Sequence, residues 1–293
     1  TAHHACQKYG FDYNTTDYRV LLEDKDIDAV MILTRHSLHA KMVQEALEVG
    51  KHVFVEKPLC VNETELVQII EAYKRTKNLS VLFVGYNRRF SPSAMRLQSY
   101  YSRRQSPLVM CFRINVGLLS SEHWVNQSTE GGGRIIGELC HFIDLAQYFS
   151  GSLPTEVFAQ SASPVISERS VCEDVSVHVQ FEDGSIAAIV YTASGDRAFS
   201  RERMEIFSQG TVGVLEDFRR MSFVAHGNTK VERWRNQDLG YFGELDAFFS
   251  AVRKNEGPHI PIEHAVSSSL ATFRILESLA TGQSLVMGQP RYR

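Results

Sequence analysis

The apolar positions of the first ninety residues follow two rhythms. Ala29 to Thr34, Val53-Phe54-Val55 and Val81 to Tyr86 are short apolar runs without helical period, rich in β-branched and aromatic residues. Such runs predict fully buried strands. Between them the spacing changes. Leu66, Ile69, Ile70 and Tyr73 stand at i, i+3, i+4 and i+7, the buried face of one helix. Asn62 is placed to cap it, with Glu65 three residues on as the capping-box partner. Ser37 is placed to cap a second helix that ends at Gly50, and Asp17 a short one carrying Leu21 and Leu22. Thr1 to Gly10 reads as a helix closed by a C′ glycine. Strands alternating with helices across short connections predict right-handed parallel βαβ units.

Past Phe90 the period becomes two. Met110, Phe112, Ile114 and Val116 alternate with Cys111, Arg113 and Asn115; Val175, Val177, Val179 and Phe181 alternate with Ser176, His178 and Gln180. One apolar and one polar face predict a half-exposed, mostly antiparallel sheet. Asp183-Gly184, Gln209-Gly210 and Gly227-Asn228 mark turns. The latter half of the segment Gly131 to Tyr148 should be a helix. Helices also close the chain: Leu245, Phe248, Phe249 and Val252 share a face, as do Phe273, Leu276 and Ala280. The expected division is an α/β unit over residues 1–90 and an α+β unit over residues 91–293.

Composition removes several function classes. Hydrophobic residues are 43% and charged residues 22% of the chain, the balance of a globular protein. A formal net charge of −3 offers no basic surface for nucleic acid or an anionic membrane. The cysteines Cys6, Cys60, Cys111, Cys140 and Cys172 are odd in number and include no C-x-x-C pair. Neither a disulfide framework nor a zinc site is indicated, and a reducing cytoplasm is expected. No transmembrane helix and no signal peptide are expected.

Ligands of a parallel α/β sheet bind outside the carboxyl ends of its strands. The residues following each run are therefore the candidates. Val53–Val55 ends on Glu56, Lys57 and Pro58. A lysine at a half-buried rim loses solvation and can carry protons; a plain surface lysine is the alternative. Thr34 is followed by Arg35, His36 and His39. The two histidines are at i, i+3, but no third ligand accompanies them, so no metal is expected. Val81–Tyr86 leads into Asn87, Arg88 and Arg89, which suit a carboxylate or a nucleotide-sugar diphosphate, or are loop charge. Later, G-G-G-R-I-I-G-E-L-C-H-F-I-D spans Gly131 to Asp144 and brings in Glu138, His141 and Asp144. Imidazole titrates near neutrality, which makes His141 a candidate acid or base; a satisfied core histidine is the alternative. Trp124 could stack on a sugar ring or fill the core.

E-K-P followed about 85 residues later by H-x-x-D, with Val81–Phe90 between them, resembles the glucose–fructose oxidoreductase/inositol dehydrogenase/rhizopine-catabolism (Gfo/Idh/MocA) family over nearly the whole chain. The wording of residues 131–144 is most similar to the branch fused behind a zinc-alcohol-dehydrogenase-like half. The resemblance implies a Rossmann-like parallel sheet followed by the family's mostly antiparallel, open-sheet C-terminal domain. No G-x-G-x-x-G turn occurs in the sequence. On the family's pattern the chain then opens near the second helix of a truncated cofactor domain, and by itself should hold a dinucleotide poorly.

The resemblance also implies roles. Thr34, Arg35, His36, His39, Glu56, Lys57, Pro58 and Asn87 are expected to contact NAD or NADP. Lys57, Arg88, Trp124, His141 and Asp144 are expected at the substrate, with Lys57 and His141 transferring protons. The family's helix-start motif usually carries an aspartate one turn before the histidine. Here that position is Gly137, and the nearest carboxylate is Glu138. On an α-helix a one-residue shift turns a side chain by about 100°. Either Glu138 joins the catalytic residues by another backbone path, or Lys57 and His141 act alone. The expected activity is NAD(P)-dependent oxidoreduction of a hydroxyl on a sugar, nucleotide sugar or cyclitol. A non-catalytic binding or regulatory module that keeps the fold is the alternative. The exposed sheet face, through which the family often dimerises, implies a homo-oligomer.

Overall fold

The structure is a computed structural model that describes residues 2–76, 79–120, 122–127, 129–162, 173–254 and 257–290. Cys172 lies outside the described residues. Two short helices, α1 (Ala2–Tyr9) and α2 (Arg19–Glu23), lead into the first sheet. The Asp17 carboxylate accepts from the Arg19 amide, as its place before α2 suggests. Then come β1 (Ala29–Ile32), α3 (His36–Glu48), β2 (His52–Val55), α4 (Glu63–Arg75) and β3 (Leu82–Val84). The three strands are parallel, in the order β1-β2-β3. Both faces of β2 are covered, since Val53, Phe54 and Val55 are all buried, which explains a run with no alternation.

Two local expectations change. Ser37 does not cap α3. The cap position is two residues earlier, at Arg35, with no side-chain cap bond, and the Ser37 amide donates instead to the carbonyl of Glu130 from a distant loop. Asn62 does cap α4, accepting from the Glu65 amide at 2.9 Å, and Glu65 answers on the Val61 amide at 3.0 Å.

A 3₁₀ turn (Asn87–Phe90) and α5 (Pro92–Tyr101) lead to β4 (Val109–Asn115). A π-helical turn (Ile135–Leu139) runs directly into α6 (Cys140–Ser150). The remaining strands are β5 (Pro154–Ser161), β6 (Asp174–Phe181), β7 (Ile186–Thr192), β8 (Glu202–Ser208), β9 (Thr211–Glu216), β10 (Arg220–Ala225) and β11 (Asn228–Arg233). Helices α7 (Tyr241–Lys254) and α8 (Ile262–Thr281) and a two-residue β12 (Leu285–Val286) follow. The second sheet has nine strands in the order β11-β10-β9-β8-β4-β7-β6-β5-β12. Every pairing in it is antiparallel except β4 with β7. The turn after β10 is His226-Gly227, one residue earlier than the sequence suggested, since both of these residues take positive φ. On α7 the buried stripe runs through Ala247, Phe248 and Ala251, leaving Phe249 half-exposed.

One face of the large sheet packs on α5 and α8, and α6 reaches it through Phe149 against Phe112. The other shows Val109, Cys111, Ile186, Val190 and Phe207 to solvent.

Three buried arginine forks join the two sheets and their helices. Arg88 meets Glu202 on β8 at 2.9 and 2.7 Å. Arg89 meets both carboxylate oxygens of Asp144 on α6. Arg274 on α8 meets Glu63 on α4 at 2.8 and 3.1 Å. Two parallel N–H···O bonds satisfy charges that burial would otherwise penalise heavily.

Removing one partner of such a fork leaves the other charge stranded. Arg274→Ala, remote from the strand ends, should lower the unfolding free energy by about 3–5 kcal/mol. The double variant Glu63→Leu/Arg274→Met should recover most of that loss. Urea unfolding of the three proteins checks both.

Candidate active site

Val55 and Val84 are register partners on β2 and β3, so the chain leaves both strands side by side. Gly85 permits it. A Cβ there would stand 3.3 Å from Glu56 Oε2 and 3.3 Å from Phe54 Cζ. The Lys57–Pro58 peptide is cis. His39 on α3 holds this corner, with Nδ1 2.7 Å from the Pro58 carbonyl and Nε2 3.1 Å from the Thr34 carbonyl. His39 thereby fastens the end of β2 to the end of β1. Thr34 itself is exposed.

The corner aims Lys57 across to the second motif. Its Nζ donates to the Gly137 carbonyl at 2.7 Å, a contact between residues 80 apart in sequence. Gly137 lies in the π turn. A π turn carries one residue more than an α turn, so the α-helical rotation of about 100° per residue does not place Glu138. Glu138 turns toward the large sheet instead. It accepts from the Tyr191 hydroxyl, from Arg201 at 2.7 Å and from Arg134 at 3.3 Å. The Tyr191 hydrogen bond and the charges of Arg134, Arg201 and Lys57 outweigh burial and hold its carboxyl below the usual range. Glu138 is an anion anchored to three donors.

His141 follows at the start of α6. It is buried, and among the described residues its Nδ1 has no hydrogen-bond partner. Burial and then the cations Arg88, Lys57 and Arg201 press its pKa well below the ordinary imidazole value. The near-neutral titration expected of an imidazole is therefore absent here, and His141 is a neutral ring. Asp144, one turn on, is committed to Arg89 rather than to His141. Arg88 is committed to Glu202. The two arginines that suited a diphosphate are thus internal counter-ions. Asn87 is buried beside them, with an Nδ2 that has no partner among the described residues.

Trp124 is half-buried and meets the His36 ring edge-on at 4.7 Å between centroids. Arg35 lies over its indole at 5.5 Å and pairs with Glu130. His36 bonds the Gly131 carbonyl through Nδ1 at 2.7 Å. No cluster of metal-binding type occurs among the described residues. A cavity of about 560 Å³ between α4, α8 and residues 286–290 is lined by none of these side chains.

The structure thus gathers Lys57, Gly137, Glu138, His141 and His36, and turns Arg88, Arg89 and Asp144 inward. Sequence reasoning missed Arg134, Tyr191 and Arg201, the donors around Glu138. Tyr191 carried a signal: it is the one hydroxyl on the inward phase of β7 after Ala187 and Ile189. It also missed Glu244. This α7 residue is 2% exposed, and its Oε2 has no partner among the described residues. Burial, with the Glu56 carboxylate second, pushes its pKa up to about 8, and burial raises Glu56 as well.

The folded protein therefore keeps a proton on Glu244 that the unfolded chain releases near 4.5. Between those two values, stability contributed at this site falls as pH rises. Glu244→Gln should gain on the parent at pH 8, by on the order of 1 kcal/mol or more, and not at pH 5. Urea unfolding at both pH values checks it; a pH-independent difference would contradict the protonated assignment.

Comparison with known proteins agrees with this geometry. A family model described as "Oxidoreductase family, NAD-binding Rossmann fold" matches residues 1–86, and the "GFO/IDH/MocA C-terminal domain" model matches residues 102–216. The uncharacterized oxidoreductase YrbE of Bacillus subtilis is 31% identical over 205 residues, 69% of this chain and 58% of YrbE. The myo-inositol 2-dehydrogenase of Thermotoga maritima is 26% identical over 294 residues, 95% of this chain and 85% of that protein. A levoglucosan dehydrogenase solved with NADH and levoglucosan superposes with a TM-score of 0.85 at 21% identity, covering 98% of this chain and 87% of that one. At that identity the likeness shows the fold. From the two family models, which between them match residues 1–86 and 102–216, the chain belongs to the Gfo/Idh/MocA family of oxidoreductases.

Proposed function

We propose that this chain oxidises and reduces a CH–OH group of a sugar or cyclitol with NAD(H), with Lys57 handling the hydroxyl proton. The observation carrying this reading is the Lys57 ammonium on the Gly137 carbonyl. Two motifs far apart in sequence meet at the carboxyl end of a parallel sheet, where such folds bind ligands. The fit of a cofactor rests on orphaned polar atoms. Asn87 Nδ2 is a donor, and His141 Nδ1 a donor or acceptor, held ready for a polar ligand at the ends of β3 and α6. Thr34, Arg35, Glu56, Pro58 and Asn87 would hold the cofactor, with buried His39 fixing the corner that carries them. When bound, nicotinamide supplies the hydride chemistry. The pyrophosphate of a dinucleotide ordinarily sits on a glycine turn, which these 293 residues lack; the residues named here account for the nicotinamide end.

The remaining roles follow from charge. In the reducing direction a Lys57 N–H beyond the one given to Gly137 protonates the developing alkoxide, and in the oxidising direction the neutral Lys57 amine takes the substrate hydroxyl proton. Neutral His141 orients that hydroxyl by hydrogen bonding, without carrying charge. Glu138, held by Arg134, Arg201 and Tyr191, fixes the π turn that presents the Gly137 carbonyl. Asp144 positions Arg89. The inositol and levoglucosan dehydrogenases among the relatives make myo-inositol and levoglucosan the first substrates to try. Membership of the branch fused to a zinc-alcohol-dehydrogenase-like half rests on the wording of residues 131–144 alone. A cytoplasmic location is proposed from cysteine usage; Cys6, Cys60, Cys111 and Cys140 are free thiols, and no helix among the described residues is long and apolar enough to cross a membrane.

Lys57→Ala should cut kcat for NADH formation by a factor on the order of 10² to 10⁴, with the fold kept by circular dichroism. Full turnover by this variant would remove Lys57 from the chemistry. NADH binding without turnover of any polyol would favour a binding module instead.

The open face of the large sheet carries Val109, Ile186, Val190 and Phe207 in adjacent strands, each at least 39% exposed. An apolar face of this kind is covered by association, and a second copy of this chain is the proposed partner. Light scattering at micromolar concentration should give a mass at least twice 33.1 kDa; a monomeric mass would count against it.

A further inference from the structure

We propose that His36 supplies the acceptor that a carboxylate at position 137 would otherwise provide, its Nε2 receiving a hydrogen bond from a substrate hydroxyl next to the one that Lys57 serves. The inference rests on the polyol oxidoreductase reading above and adds a residue that determines which polyols fit.

The first argument is space. A Cβ at position 137 would lie 2.7 Å from His36 Cε1 and 3.3 Å from Nδ1. Contacts under 3.0 Å do not persist, and the ring is not free to leave. Its Nδ1 is tied to the Gly131 carbonyl at 2.7 Å, and Trp124 abuts it edge-on at 4.7 Å. The backbone of Gly137 does not demand glycine, because its φ is not positive, unlike those of Gly132 and Gly133. The imidazole is what excludes a side chain there. Residues 36 and 137 therefore form one complementary pair in which one site or the other holds a functional group, but not both.

The second argument is the tautomer. A carbonyl oxygen only accepts, so His36 Nδ1 must carry the hydrogen. Burial, the Lys57 charge and His39 hold the ring neutral at pH 7, with a pKa lowered to about 4 against the gain from the Gly131 bond. In a neutral ring with Nδ1 protonated, Nε2 keeps its lone pair. The one hydrogen bond of the ring seen among the described residues is that of Nδ1 to Gly131. Lys57 Nζ rests on the carbonyl of the same Gly137 against which the ring packs. A donor-rich amine and a bare acceptor thus flank one residue. Hydroxyls on adjacent ring carbons present that complement, one acting on the amine and one donating to Nε2. A neutral acceptor also gives no Coulomb reward to an ammonium substituent, which a carboxylate would. The expected substrates are vicinal diols with uncharged substituents.

Two experiments test this, using the full chain with NAD(H) and myo-inositol or levoglucosan as probes. The first is ¹⁵N NMR of imidazole-labelled protein at pH 7. The Nε2 resonance of His36 should be that of an unprotonated nitrogen, and addition of NADH with the polyol should move it toward the hydrogen-bonded position. A protonated Nε2 in the ligand-free protein overturns the proposal, even if hydride transfer is confirmed. The second is a swap. His36→Ala should lower kcat/KM by about tenfold or more, the cost of an unpaired substrate hydroxyl. Gly137→Asp alone should be worse, because carboxylate and ring collide. His36→Ala/Gly137→Asp should recover most of the activity, and His36→Ala/Gly137→Val, which fills the space without an acceptor, should not. Equal recovery by both doubles means that His36 only packs and overturns the proposal, as does no recovery by the aspartate double. If the tautomer is as stated but the parent turns over no polyol of the set, the oxidoreductase reading fails first and this proposal with it.

Discussion

Two consecutive arginines constrain everything around the strand ends. Arg88 and Arg89 leave β3 inside a single 3₁₀ turn, and each carries a full charge into the interior. A buried guanidinium is tolerable only with a carboxylate in fork geometry. The two forks point to different places: Arg88 to β8 of the large sheet, Arg89 to Asp144 in the helix that begins at Cys140. The large sheet and α6 are therefore both referenced to the end of β3. Lys57, at the end of the neighbouring strand, then finds Gly137 within hydrogen-bond reach. Burial, and after it the charges of Arg88, Lys57 and Arg201, keeps His141 uncharged. The arginines thus fix distances and set protonation states without touching a ligand themselves.

The fold was largely legible in the sequence because its two periodicities are clean. Val53 to Val55 has no alternation because it is buried on both faces, and Val175 to Phe181 alternates because it is buried on one. Boundaries were less legible. Ser37 has the chemistry of a cap, but it lies inside the first turn, where its amide is satisfied by the carbonyl of Glu130, nearly a hundred residues away, and no local pattern reports that. The cap at Asn62 was readable because both partners are local.

The site was legible as a location and less so as a set of roles. E-K-P and the 131–144 motif do converge. What the sequence could not reveal was which charges are spent on each other. Arg88 and Asp144 look like ligand-binding groups until Glu202 and Arg89 are seen opposite them. The π turn was equally hidden. In it Glu138 turns toward Tyr191 on β7 and Arg201 just before β8, both far along the chain. Glu244 left no signal, since an acidic residue in the first turn of a helix is ordinary, and its burial against Glu56 is a tertiary accident of packing.

The place of β4 in the large sheet has a consequence for how the chain acquires its shape. β4 is the first strand of that sheet in sequence, yet its neighbours are β7 and β8, whose residues begin at Ile186 and Glu202. No local hairpin can shelter it. During synthesis about seventy residues must emerge before either edge of Val109–Asn115 finds a partner. Until then an apolar strand with two open edges is exposed to other chains. Among the described residues, α6 beneath Phe112 is an early cover available to it. Crowded expression at high temperature is therefore where this molecule is most vulnerable, and slower synthesis is the condition under which its centre closes in time.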